Sequence, residues 1–106
     1  MASTIEFVEY VCEQISGAGI ISYKKMFGEF GIYCNAKFIG LICSNQFFLK
    51  ETERARALLT EVIEAHPYTG AKNYFLIDFL EDRVYLSGII RATYDELPMP
   101  KPKKVR

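Results

Sequence analysis

The sequence predicts an α+β domain in which helices pack on an antiparallel sheet of four to five strands, in the order α-β(3-4)-α-β-α. Apolar residues recur at helical spacing near both ends of the chain, and apolar runs between them alternate with a period of two. Short polar breaks of the kind found in hairpins separate those runs. Because strands cluster without regular alternation with helices, an antiparallel sheet is favoured.

The first helix is predicted by its cap and its apolar spacing. Ser3 and Glu6 have the spacing of a capping box, in which a hydroxyl and a carboxylate satisfy free backbone N–H groups. The apolar face expected for this helix consists of Ile5, Val8, Cys12 and Ile15. The glycines in the segment 16–19 should end it.

The central region is predicted to be a meander of strands at about residues 22–26, 29–34, 37–43 and 46–50. The polar pairs Asn35-Ala36 and Ser44-Asn45 separate three of these strands, so neighbouring strands should be antiparallel.

A second helix should follow Lys50, with Ala55, Leu58, Leu59, Val62 and Ile63 on its buried face. A strand at 73–77 comes next, and Asp78 with Glu81 repeats the capping spacing before a last helix that ends near Glu96. The buried face of that helix is predicted to contain Leu86, Ile89, Ile90, Thr93 and Leu97. A hairpin turning at Glu81-Asp82 is the alternative, but the helix is favoured because the apolar spacing continues past Gly88.

Length and composition indicate a single domain. The 106 residues include 13 basic and 13 acidic side chains and are 50% apolar. The domain is assigned to residues 1–97, and residues 98–106 are expected to form a disordered basic Pro/Lys tail. No apolar run is long enough to cross a membrane and no signal peptide is recognisable, so a cytoplasmic location is expected.

One segment of the strand region is distinctive, and its signature residues are Met26, Phe27, Gly28, Gly31, Tyr33 and Phe48. With these residues the chain resembles the N-terminal domain of the TfoX/Sxy family of competence regulators, and the resemblance covers nearly the whole chain. The resemblance implies a stand-alone single-domain member with a fold akin to secretion chaperones, which commonly pair as homodimers. It also implies a part in transcriptional control of DNA uptake, mainly for the longer relatives that carry a second helical domain.

The two glycines of the signature have a structural interpretation. Gly28 and Gly31 lie between strands, which suggests a turn and a bulge rather than a phosphate-binding loop. Cys12, Cys34 and Cys43 lie in apolar runs without metal-ligand spacing, so buried, reduced thiols are expected. No cofactor or metal is therefore predicted.

The favoured function is a non-enzymatic protein-interaction module whose partner is a second copy of itself or a transcription regulator. The consecutive residues Phe47 and Phe48 point to opposite faces of a strand, so one of them could be an exposed interface residue. The alternative is a helix on each face.

Weak nucleic-acid binding is the second hypothesis, and its candidate contacts are Lys101, Lys103, Lys104 and Arg106. Without these four cations the remaining 9 basic and 13 acidic residues give a net charge of −4, which repels phosphate.

An enzyme is the third hypothesis. Its polar candidates are Glu29, Tyr33, Lys50, Lys72, Tyr74 and Asp78, but no spacing brings an acid and a base together. Lys50 and Lys72 are the candidates for an anion contact. A small-ligand-binding domain is a further alternative, to which no residues are assigned.

Overall fold

A computed structural model describes residues 3–98. Its helices are α1 (Ile5–Gln14), α2 (Glu53–Leu58) and α3 (Arg83–Glu96). Its strands are β1 (Ile21–Met26), β2 (Glu29–Cys34), β3 (Lys37–Cys43), β4 (Gln46–Leu49), β5 (Glu64–Ala65) and β6 (Tyr74–Ile77). All neighbouring strands are antiparallel, in the order β1-β2-β3-β4-β6-β5. The predicted α+β class is confirmed, with six strands where four to five were expected.

The β1–β4 meander forms because its three connections are two-residue turns. Both turn positions have positive φ in Phe27-Gly28, Asn35-Ala36 and Ser44-Asn45. Positive φ at both positions defines the type I′ turn, whose twist matches that of the flanking strands. The predicted strand bounds are therefore reproduced closely.

The N-cap of helix α1 lies one residue later than predicted. Thr4 is the N-cap, and its hydroxyl accepts a hydrogen bond from the Phe7 N–H at 3.2 Å. The Ser3 hydroxyl instead accepts from the Asn45 N–H at 2.9 Å, which ties the helix start to the β3–β4 turn. The buried face contains Val8, Val11 and Ile15, whereas Ile5 is exposed and Cys12 only half-buried.

The second helix is much shorter than predicted. It ends at Leu58, and the predicted face residues Leu58 and Val62 are exposed. Tertiary contacts explain this ending, because the Tyr85 hydroxyl donates to the Leu58 carbonyl at 3.0 Å and accepts from the Thr60 N–H at 2.9 Å. The chain beyond then forms the short strand β5, which the sequence did not predict.

Helix α3 confirms the helical alternative over the hairpin, but it starts later than predicted. Asp82, not Asp78, is the N-cap, and its carboxylate accepts from the Tyr85 N–H at 3.2 Å. Its buried residues are Leu86, Ile89, Ile90 and Thr93, as predicted, with Leu97 only partly buried.

The last turn of α3 is tied to the sheet. The buried Lys37 ammonium donates to the carbonyls of Tyr94 and Leu97, at 2.7 and 2.6 Å. These carbonyls lie at a helix C-terminus, where a cation is favourable.

The sheet has two different faces. Within residues 3–98, all three helices contribute to the main core, which contains Phe47, Phe75 and the other strand residues of one face. The opposite face carries a second cluster made only of sheet residues, with Leu41, Cys43, Phe48 and Tyr74 at its centre. We call this helix-free surface the free face.

Candidate functional site

The free face is apolar along most of its width. Leu41, Cys43, Phe48 and Tyr74 are surrounded there by the partly buried residues Met26, Phe38, Ala65 and Leu76. In a sheet with one face in water, successive residues of each strand normally alternate between apolar on the packed face and polar on the solvated face. Because both faces of this sheet are apolar, the free face differs from an ordinary solvated face and is a candidate binding surface.

Gly31 gives this face its local shape. It pairs in register with Lys24 and Leu41, so it is not the predicted bulge. The irregularity lies instead one residue further on, where the register shifts between Ile32 and Tyr33. A Cβ on Gly31 would lie 3.0 Å from the Met26 Cε and 3.2 Å from the Phe38 Cε1, so the glycine leaves room for these side chains.

A groove crosses the free face. Its first cavity has a volume of ≈ 460 Å³ and is lined by Met26, Phe27, Glu29, Leu41, Cys43, Ser44, Pro67 and Tyr68. A second cavity of ≈ 250 Å³ shares four of these residues and adds Tyr33, Phe38 and Tyr74. Because Tyr68 lines both cavities together with Phe27, the β5–β6 loop reaches across the sheet toward the β1–β2 turn. We use "groove" for these two cavities together.

Phe27 stands at the end of the groove in an unusual state. It lies at the tip of the β1–β2 hairpin with φ of 51°, and 96% of its surface is exposed. A left-handed backbone costs roughly 1–2 kcal/mol for a residue with a Cβ, and exposure forgoes the benefit of burying the ring. A phenylalanine at this position is therefore favoured neither by the turn conformation nor by burial in the core.

Lysines rest on the aromatic rings of the free face. Tyr33 and Phe38 pack edge to face with centroids 5.5 Å apart. The Lys24 Nζ lies 5.7 Å from the Tyr33 centroid, and the Lys50 Nζ lies 5.4 Å from the Phe38 centroid. These distances are within the range of cation–π attraction.

A further cavity of ≈ 340 Å³ adjoins Lys50 and is lined by Lys50, Glu51, Lys72, Asn73 and Leu97. Burial lowers the pKa of Lys50, and the nearby Lys72 ammonium lowers it further. The cavity thus brings together two of the enzyme candidates, Lys50 and Lys72, which are both amines. The carboxylate beside them belongs to Glu51, which was not among the candidates.

Glu29 joins the groove to the start of α1. Its carboxylate accepts hydrogen bonds from the backbone N–H of Ser3 and of Ser44, both at 3.0 Å. Burial on its own would raise the pKa of Glu29, but these hydrogen bonds outweigh it and hold the pKa below its usual value. The carboxylate therefore serves as a structural anion rather than a proton-transfer group.

The cysteines are unreactive by environment. Cys34 and Cys43 are buried, as predicted, and Cys12 is half-buried. Burial, followed by the charge of Glu9, raises the pKa of Cys12 to about 11. Burial also raises the pKa of Cys43, with a smaller contribution from Glu29.

The structure brings most of the predicted signature together. Met26, Phe27 and Tyr33 line the groove, Gly28 completes the turn with φ of 78°, and Phe48 lies beneath the free face. Phe47 and Phe48 do point to opposite faces, but both are buried, so neither is the exposed interface residue that was considered.

The remaining candidates are only partly brought together. Tyr33 and Tyr74 share a cavity, whereas Asp78 lines none of the cavities described above. The four tail cations lie outside the described residues.

Sequence reasoning missed Pro67 and Tyr68. Neither residue was among the predicted site residues, yet both line the groove. Tyr68 is 56% exposed, and an aromatic residue between Pro67 and Gly70 was the signal that could have indicated a functional loop.

Two general features complete the description. Across the described part of the chain, no group of three or more His, Cys, Asp or Glu side chains is arranged to hold a metal ion. Nor does any helix there have the length and apolarity needed to traverse a bilayer.

The chain has relatives among known proteins. Residues 13–97 match the TfoX N-terminal domain, which is not a known family of enzymes. The whole chain also aligns with a 12.7 kDa protein in the trpE 5′ region of Spirochaeta aurantia, with 32% identity over 107 aligned positions and 93% of that protein covered. The match to the domain spans most of the chain, and the chain belongs to the TfoX N-terminal domain family.

Proposed function

We propose that this domain is a protein-interaction module of transcriptional control, which docks a segment of a protein partner in the groove of its free face. The main observation in support of this proposal is the conformation and exposure of Phe27. Its backbone is strained and its ring is exposed, and residues held against local preference are concentrated at functional sites. An exposed aromatic residue beside an apolar groove is typical of a binding anchor.

The composition of the groove supports a protein partner. Its lining includes Met26, Leu41, Tyr68 and Tyr74, and aromatic residues with Met are enriched where proteins meet. Family membership supports a regulatory setting, because the resemblance implies control of DNA uptake for the two-domain regulators that share this domain. The proposed partner is another protein, and a second copy of the chain is the alternative occupant.

The substitution Phe27→Asn separates a binding role from a structural one. Asparagine tolerates the left-handed backbone better, so the free energy of unfolding should rise by about 1 kcal/mol. Peptides selected from a displayed random library on the wild-type domain should nevertheless bind this variant about tenfold more weakly. Stability would be measured by urea unfolding and affinity by fluorescence polarisation.

Val84→Ser is the matched control, because Val84 is 88% exposed but lies on α3, away from the free face. It should leave peptide affinity unchanged. A library that yields no groove-dependent peptide, or a Phe27→Asn domain that is less stable and binds equally well, would contradict the proposal. Light scattering of the domain alone distinguishes the second-copy alternative, since self-docking would double the mass.

A further inference from the structure

The outer edge of β1 is open beside the groove. Within residues 3–98, β1 pairs only with β2 and stands at one end of the sheet. The two-residue turn makes Met26 and Glu29 a hydrogen-bonded pair, and such pairs recur at every second residue. The Asn35 N–H donates to the Ile20 carbonyl at 2.7 Å, which fits the same alternation. The N–H and C=O groups of Ile21, Tyr23 and Lys25 therefore face outward.

This edge is long enough to accept another strand. β1 has six residues, and four of them, from Ser22 to Lys25, are exposed. Its C-terminal end, Met26, runs directly into Phe27, and both line the groove. A segment added along β1 would thus reach the groove without a change of direction.

The charge of the edge restricts which strand can be added. Lys24 and Lys25 are adjacent, so in a strand they project to opposite faces of the sheet. The ion pairs of the described residues are those of Arg56 with Glu51 and Glu64, and of Arg91 with Asp95. Both lysines of β1 are therefore available to an incoming carboxylate.

The same lysines disfavour a second copy of this chain on the edge. Antiparallel pairing of β1 with itself, centred on these residues, would set lysine against lysine, and like charges directly opposite are destabilising. Lysines on edge strands commonly prevent such self-pairing. A segment with two adjacent acidic residues would instead place one carboxylate near each lysine, on each face of the sheet.

The geometry points to an extended acidic segment of another protein that adds as a strand to the outer edge of β1, with its carboxylates on Lys24 and Lys25 and its next apolar side chain in the groove. This inference rests on the proposed function, because it specifies the partner of the same site. Backbone hydrogen bonds to the edge supply affinity in this mode of recognition, and side chains supply specificity.

A synthetic peptide tests this assignment. The labelled peptide acetyl-Ser-Val-Phe-Glu-Glu-Phe-Val-Ser-amide reads the same in both directions, so it fits β1 as a parallel or an antiparallel strand. Fluorescence polarisation should show that it binds the full chain about tenfold more tightly than the matched peptide with two lysines in place of the glutamates. Exchanging both charges on the protein, with Lys24→Glu and Lys25→Glu, should reverse this preference.

Lys25→Pro tests the backbone contact. The Lys25 N–H faces outward, so proline removes it without breaking the β1–β2 ladder, and edge strands tolerate proline in this orientation. Lys25→Ala is the control, because it loses the same charge and keeps the N–H. We expect proline to weaken binding of the acidic peptide about tenfold beyond the effect of alanine.

Four outcomes would overturn the inference. Equal binding by the proline and alanine variants would exclude strand addition, and equal binding of the two peptides would exclude charge selection. Stronger binding of an oligo-dT strand than of the acidic peptide would identify the surface as one for single-stranded nucleic acid. If library peptides lose affinity on Phe27→Asn but the acidic peptide does not bind, the proposed function stands and only this inference fails.

Discussion

Lys37 is a buried cation that connects the sheet to the end of α3. It is only 5% exposed, and its ammonium is satisfied by two carbonyls of α3 and by the face of the Tyr94 ring, 4.1 Å from the centroid. A buried charge without partners is strongly unfavourable, so these contacts hold the end of α3 against β3.

We expect Lys37→Met to lower the free energy of unfolding by about 2 kcal/mol, the usual contribution of hydrogen bonds to a charged group. Methionine retains most of the volume, so the loss arises from the two carbonyls left without a donor. Urea unfolding measures the change. Lys25→Met is the control, since Lys25 is exposed, and equal stability of the two variants would show that Lys37 does not fasten the helix.

Among the elements, the junction of α1 with the meander depends on one carboxylate. Glu29, at the start of β2, receives the N–H groups of Ser3 and Ser44 and so connects three elements. Its pKa lies below the ordinary value of 4.5 in the folded protein. Its contribution to stability is therefore present above that value and is lost as the pH falls through the lower, folded-state pKa.

The urea midpoint of the wild type should consequently exceed that of Glu29→Gln near neutral pH, and the two midpoints should converge in acid. Glutamine keeps the shape and one acceptor, so the difference reports the charge on the carboxylate. Glu81→Gln makes the same charge change at an exposed position before α3 and serves as the reference. A difference that does not vary with pH would contradict this role.

For the whole molecule, the sequence predicted local structure better than it predicted tertiary contacts. The meander was predictable because period-two alternation and polar turn pairs are both local signals. The end of α2 was not, since Leu59, Val62 and Ile63 continue a helical pattern that contacts from Tyr85 override. Met26, Phe27 and Tyr33 of the groove were named from the sequence as signature residues. Tyr68 was not, because it lines the groove from the loop between β5 and β6, far along the chain from the signature.

The charge on β1 also predicts how whole molecules associate. The wild type and the Lys24→Glu, Lys25→Glu variant should each resist pairing through β1, because like charges would meet. An equimolar mixture should associate at low salt, because glutamates then face lysines, and light scattering would detect the increase in mean mass. A wild type that dimerises through β1 by itself would contradict this; a homodimer implied by the family resemblance has to use another surface.

The two-residue turns of the meander have a kinetic consequence. Pairing β1 through β4 closes only very short loops, whereas β6 can join β4 only after residues 50–73 have been brought into place. Closing a longer loop costs more chain entropy, and local contacts form faster than distant ones. We therefore expect the hairpins to form first and to provide the template on which β6 and α3 later assemble. The segment that carries the family signature is then also the nucleus from which this chain folds.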